Sequence, residues 1–237
     1  MEQSGTSTPL TGAVQDLASE VVSALRSGGH SRVVRGATGI DGDDGITVAA
    51  VRILGPDVLL PSILLRTTPD TEDVALFEKA VTGFPPPPNA SPASVWSHWA
   101  MTQALRRANA SGGAYADGVP AGGEEPRTTW LEDASWQFLT HQLAVLGGLA
   151  TPDGTSAVAR IAARRPVDVA RGFVRAVRRR DWLQAAAAGR WLVTLDGVPE
   201  TLGLDAGLDF VDLMGGGDPR VALHLQAARL MRAGERG

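Results

Sequence analysis

The chain has 237 residues, 43% hydrophobic and 20% charged, a balance that supports a buried core and excludes an intrinsically disordered protein. It has no cysteine, which excludes disulfides, thiolate metal sites, iron–sulfur clusters and cysteine nucleophiles. The net charge of −4 conceals an asymmetry: residues 160–190 carry nine arginines against Asp168 and Asp181, a local +7, so the remainder carries −11.

Val14, Leu17, Ala18, Val21, Val22 and Leu25 recur at helical spacing, and Gly28-Gly29 follows where a C-cap glycine belongs, so the chain opens on a helix. Three β-branched or aliphatic runs follow: Ser31 to Arg35, Ile46 to Leu54 and Val58 to Arg66. They read as strands of an antiparallel meander, separated by the turn-rich stretches Gly39 to Gly45 and Gly55-Pro56-Asp57. Pro61 pushes the third run toward a sheet edge. Asp70 to Asp73 supplies an acidic first turn to a second helix through Val74, Phe77 and Val81, ending at Gly83.

Residues 85–93 hold Pro85 to Pro88 and Pro92 and favour polyproline II, which places the main boundary there. The expected fold class is α+β: a small N-terminal antiparallel β-meander with flanking helices (1–84), a proline-rich linker (85–93) and a larger all-α helical bundle (94–237). Within the bundle, helices are expected from Ser94 to Ala108, Thr129 to Leu146, Thr155 to Arg164, Val167 to Arg179, Trp182 to Leu195, Leu204 to Leu213 and Pro219 to Arg232. Thr129 with Glu132 fits a capping box, Asp181 and Asp218 fit caps, and Pro166 and Pro219 suit first turns. Short connections favour antiparallel neighbours.

Arg171, Arg175, Arg178 and Arg179 share one face of a helix whose other face is Val169, Phe173, Ala176 and Val177, so the basic run is a stripe. With Trp182 close by, it is a candidate binding surface, set against the plainer reading of a solvated face or intramolecular ion pairs, which the acidic chain and the lack of a nucleic-acid motif favour. Asp205, Asp209 and Asp212 form an acidic stripe with the phase to oppose it. Lys79 is the sole lysine, and the arginine preference together with abundant Ala, Gly, Val and Leu fits a GC-rich bacterial genome.

Trp96, Trp99 and Trp136 are candidates to line a pocket, although core packing explains them as well. His98 shares a face with Met101 and Leu105, and His141 one with Ala134, Phe138 and Val145, making both part-buried acid/base candidates. The Asp41-to-Gly45 loop fails the calcium-loop spacing, Gly215 to Gly217 lacks a phosphate-loop context, and HExxH, GxSxG, GxGxxG and P-loop motifs are missing; neither metal nor cofactor is expected.

Met1 to Thr11 lacks the n- and h-regions of a signal peptide, and no apolar run approaches the roughly 18 residues of a bilayer span, so a cytoplasmic protein without membrane contact is expected. The leading functional expectation is a non-catalytic accessory protein whose helical domain binds a protein partner. The alternatives are a small-molecule enzyme with an inter-domain pocket using His98 or His141, and a nucleic-acid binder using the arginine stripe.

Overall fold

A computed structural model of the chain describes residues 9–28, 44–111, 124–152 and 154–234, and every regular element among them is helical. The twelve α-helices among the described residues are α1 (Pro9–Arg26), α2 (Asp44–Leu54), α3 (Leu60–Leu65), α4 (Thr71–Gly83), α5 (Pro92–Ser111), α6 (Thr129–Glu132), α7 (Trp136–Val145), α8 (Ala157–Ala163), α9 (Pro166–Arg178), α10 (Trp182–Leu192), α11 (Leu204–Gly215) and α12 (Pro219–Gly234). Short 3₁₀ turns occupy Gly55–Leu59, Gly147–Leu149 and Glu200–Leu202.

The α+β expectation is therefore overturned. Ile46 to Leu54 lies in α2, and Val58 to Arg66 divides between the first 3₁₀ turn and α3. The first expected strand, Ser31 to Arg35, and most of the Gly39-to-Gly45 turn lie outside the described residues. A short run of Val, Ile and Ala suits either a buried strand or a buried helix, and here helical phase decides: Thr47, Ala50 and Val51 are buried while Ile53 is exposed. Gly55, with φ +67, ends α2 where only glycine turns without strain, and Pro56 opens the 3₁₀ turn. Pro61 occupies the first turn of α3, where a missing N–H costs nothing, rather than a sheet edge.

Gly45–Leu65 is, by length and composition alone, apolar enough to cross a bilayer, which corrects the expectation that no such stretch exists. In the fold it is broken at Gly55-Pro56 into two helices and a turn, with buried Asp57 near its centre.

Of the expected caps, Asp181 accepts from the Gln184 amide at 3.2 Å, whereas the Thr129–Glu132 capping box is not formed, α6 having no side-chain cap; Asp70, expected within an acidic first turn, instead caps α4 by accepting from the Glu72 amide at 2.9 Å. The long helix expected from Thr129 is split by a break at 133–135; Ser135 caps the second piece by accepting from the Phe138 amide at 3.4 Å. Ser91 rather than Ser94 opens α5 by accepting from the Ser94 amide at 3.2 Å.

Helix α10 organises the second half, packing against α7, α9, α11 and α12, while α12 also packs against α1, which in turn covers α2. The buried side chains form one core running from Val14 to Met231, continuous on both sides of the proline-rich segment. Close approach comes from small residues: Ala185 to Gly189 of α10 are all buried. A Cβ on Gly189 would stand 2.4 Å from Leu208, and one on Gly172 2.4 Å from Thr140, so α10–α11 and α9–α7 meet nearly backbone to side chain.

Gly172→Ala is therefore expected to lower unfolding free energy by roughly 1–3 kcal/mol through overpacking. Gly12→Ala in α1, where a Cβ would meet nothing within 4 Å, is expected to raise it by roughly 0.5–1 kcal/mol by restricting the unfolded chain. Urea denaturation of both variants checks the pair, and equal effects would contradict the packing described.

Candidate functional site

The arginine stripe lies on α9, whose entry is fixed by Arg165. That side chain pairs with Asp168 at 2.7 Å and donates to the Ala134 carbonyl at 2.7 Å, tying the start of α9 to the segment before α7. Beyond this anchor, Arg171, Arg175, Arg178 and Arg179 are all exposed. They line a shallow groove with Trp136 of α7, Val167 and Val174 of α9, and Leu202 of the third 3₁₀ turn.

Among the described residues, one of the four arginines has a carboxylate within reach: Arg171 stands 3.6 Å from Asp168. The Arg175 guanidinium lies 5.6 Å from the centre of the Trp136 ring, a cation–π arrangement. Arg178 and Arg179 meet no acidic side chain among the described residues. The groove floor is apolar, with Val167 49% exposed at its edge.

The acidic stripe does not cover these arginines. Asp205 pairs with Arg232 at 2.6 Å, and Asp209 and Asp212 pair with Arg229 at 3.3 and 2.8 Å, so α11 directs its carboxylates to α12. Among the described residues no three His, Asp or Glu side chains converge to hold a metal.

The other sequence candidates are dispersed. Trp182 is not in the groove; it meets Phe210 edge-on at 6.0 Å between centroids. Trp96 is fully buried, packs against Trp99 in a T-shape at 5.0 Å, and donates through Nε1 to the Arg127 carbonyl at 3.2 Å. His98 is half-buried and donates through Nε2 to the Val81 carbonyl at 3.0 Å. His141 is exposed, because the face it shares with Phe138 and Val145 turns outward in α7.

A second polar centre, which sequence reasoning missed, lies inside the molecule. Arg190 of α10 has 0% exposure; its Nη1 donates to Asp57 Oδ1 at 2.8 Å and its Nε to the Ala150 carbonyl at 3.0 Å. Nη1 also lies 3.3 Å from His224 Nδ1 of α12. Arginine only donates, so Nδ1 is the acceptor and the neutral ring carries its proton on Nε2. Burial pushes the His224 pKa down to about 4, with Asp57 opposing and Arg190 and Arg220 assisting.

Glycines let the backbone close on this centre. A Cβ on Gly147 would stand 2.8 Å from His224 Cε1, and one on Gly148 2.6 Å from Pro56 Cγ. Comparison of the chain with protein-family models, with curated proteins and with solved structures finds no match in any of the three. What fold and site define on their own terms is a protein helical in every regular element among its described residues, with a buried Asp–Arg–His centre and an exposed arginine groove.

Arg190→Met is expected to cost roughly 3–5 kcal/mol by leaving the Asp57 charge buried alone, and adding Asp57→Asn should recover part of that loss. The histidine gives a pH signature. Its folded pKa lies below its unfolded value of 6.5, so the unfolded chain binds the proton first and stability falls as pH drops through 6.5 toward 4. Stability should be about 2 kcal/mol lower at pH 5 than at pH 7.5 on this account. Chemical denaturation at the two pH values, with His224→Asn as the flattened control, measures it.

Proposed function

We propose that the protein is a non-catalytic interaction module that docks an acidic, amphipathic segment of a partner protein in the groove between α9 and residues 199–202. The observation that carries this reading is the coincidence, in one groove, of Arg175, Arg178 and Arg179, which meet no carboxylate among the described residues, with an exposed apolar floor. Carboxylates of the partner answer Arg178 and Arg179, and its apolar side chains answer Val167 and Leu202.

Nucleic acid fits the same charge less well. Arg175 already occupies the Trp136 ring face, Trp182 lies elsewhere against Phe210, and a phosphate chain has no use for the apolar floor. The enzyme alternative draws no support from its own residues, since His98 is satisfied by a backbone carbonyl and His141 faces solvent.

A fluorescent peptide alternating glutamate pairs with leucine at helical spacing, and single-stranded RNA of similar length, serve as probes in anisotropy titrations. The peptide is expected to bind more tightly than the RNA. Neutralising Arg175, Arg178 and Arg179 to Gln should weaken it by at least about tenfold, and Val167→Asp severalfold. Tighter RNA binding with a steep salt dependence, or indifference to Val167→Asp, would overturn the reading.

A further inference from the structure

A cleft of about 200 Å³ opens beside the buried centre, between the Gly55–Leu59 and Gly147–Leu149 turns, α5 and α12. This exceeds the roughly 150 Å³ that accommodates a benzene-sized molecule. Asp57 and His224 both line it.

Each of these residues has one polar atom committed to Arg190 and one left over. Asp57 is 4% exposed and accepts from Arg190 through Oδ1; no described donor reaches Oδ2. His224 accepts through Nδ1, which leaves Nε2–H without a described acceptor. Among the described residues the sole unpartnered side-chain atom wholly enclosed by protein is Arg190 Nη2, so Oδ2 and Nε2 keep accessible surface. On a side chain this deeply buried, a carboxylate oxygen facing the cleft without a protein donor is satisfied by whatever occupies the cleft.

The charges of the site define what that something is. Asp57 is balanced by Arg190, and Arg220, which also lines the cleft, is held by Asp218 at 2.9 Å. With both guanidinium groups matched by carboxylates and the histidine neutral, the cleft offers no net charge to an ion. Beside Asp57 as an acceptor and His224 Nε2–H as a donor, its lining holds Ser97, the paired Arg220 and apolar walls. Ile53 and Val145, each 57% exposed and both part of the lining, are large apolar side chains at its mouth that no core contact covers.

We infer that this cleft is a binding site for a small neutral molecule bearing a primary amide, whose N–H₂ donates to Asp57 Oδ2, whose carbonyl accepts from His224 Nε2–H, and whose short apolar tail lies against Ile53 and Val145. The amide is the compact neutral group that presents a donor and an acceptor side by side. A carboxylate would oppose Asp57, and an ammonium would find no acceptor at His224. The site is separate from the arginine groove and stands whether or not that groove binds a partner.

Isobutyramide is the probe, with isobutyrate and isobutylammonium as matched ions, titrated into the ¹⁵N-labelled full chain at neutral pH. Saturable shifts of the Gly147, Gly148 and Ser97 amides are expected with the amide and at least about tenfold weaker responses with either ion. Ile53→Trp, at the exposed mouth, should weaken the amide by a similar factor without disturbing the core, and His224→Phe should do so by removing the donor. If His224→Phe fails to fold, Ile53→Trp decides alone. Equal binding of isobutyrate, the lack of saturable shifts at those glycines, or full binding by Ile53→Trp would overturn the inference.

Discussion

The buried guanidinium of Arg190 is the constraint around which the rest of the fold is arranged. Removing such a charge from water costs several kcal/mol, and only acceptors placed in the interior offset that cost. Three are supplied from three places in the chain: Asp57 after α2, the Ala150 carbonyl after α7, and His224 in α12. Arginine suits the task because its planar fork reaches several acceptors at once, where an ammonium would act as a single point. The pair spans 133 residues of sequence, so it ties the first third of the chain to the last.

That tie dictates the use of small residues. For Asp57 to reach Arg190, the turn that carries it and the turn at Gly147–Leu149 must both approach α10 and α12 closely, and Gly147 and Gly148 permit the approach. Helix α10 answers with alanines and Gly189 on its buried faces, bringing α11 within contact of its backbone. The same closeness explains why the cleft beside Asp57 is small and why its edge carries exposed Ile53 and Val145: backbone fills the space that larger side chains would otherwise close.

Much of the helical part of this arrangement is legible in the residues, because caps and helical phase are local. Asp181 caps where its side chain says it should, the Asp70-to-Asp73 cluster stands at the start of α4, and Pro166 and Pro219 open helices. The segment 44–65 is not legible in that way. Its Val, Ile and Leu runs suit strand or helix, and the choice falls to burial against α1 and α4, which is tertiary. The arginine stripe of α9 was visible as a face, but phase says which residues share a side and not which helix lies opposite; only the fold shows Asp205, Asp209 and Asp212 turned to α12. Asp57 and Arg190 carry a signal of another kind: Asp57 is the one acid of the apolar stretch 45–65, and Arg190 the one charge between Asp181 and Asp196. Counted with its neighbours as part of a basic run, Arg190 loses that signal.

A single composition therefore produces arginines with three different physical fates, and the counter-charge distinguishes them. Arg190 is enclosed with a carboxylate at 2.8 Å and holds the interior together. Arg229 and Arg232 meet the aspartates of α11 at the surface, where solvent screening leaves such pairs worth little beyond orientation. Arg175, Arg178 and Arg179 have no described carboxylate, yet they stand beside an apolar floor that lowers the local dielectric. Packing within the chain accounts for the first two groups. It accounts less well for the third, because like charges along one helical face repel one another, and among the described residues Arg175 meets only the Trp136 ring while Arg178 and Arg179 meet no carboxylate. A solvated helix face has no need of a tryptophan and three aliphatic side chains arranged between its cations, and that combination is what separates this groove from ordinary charged surface.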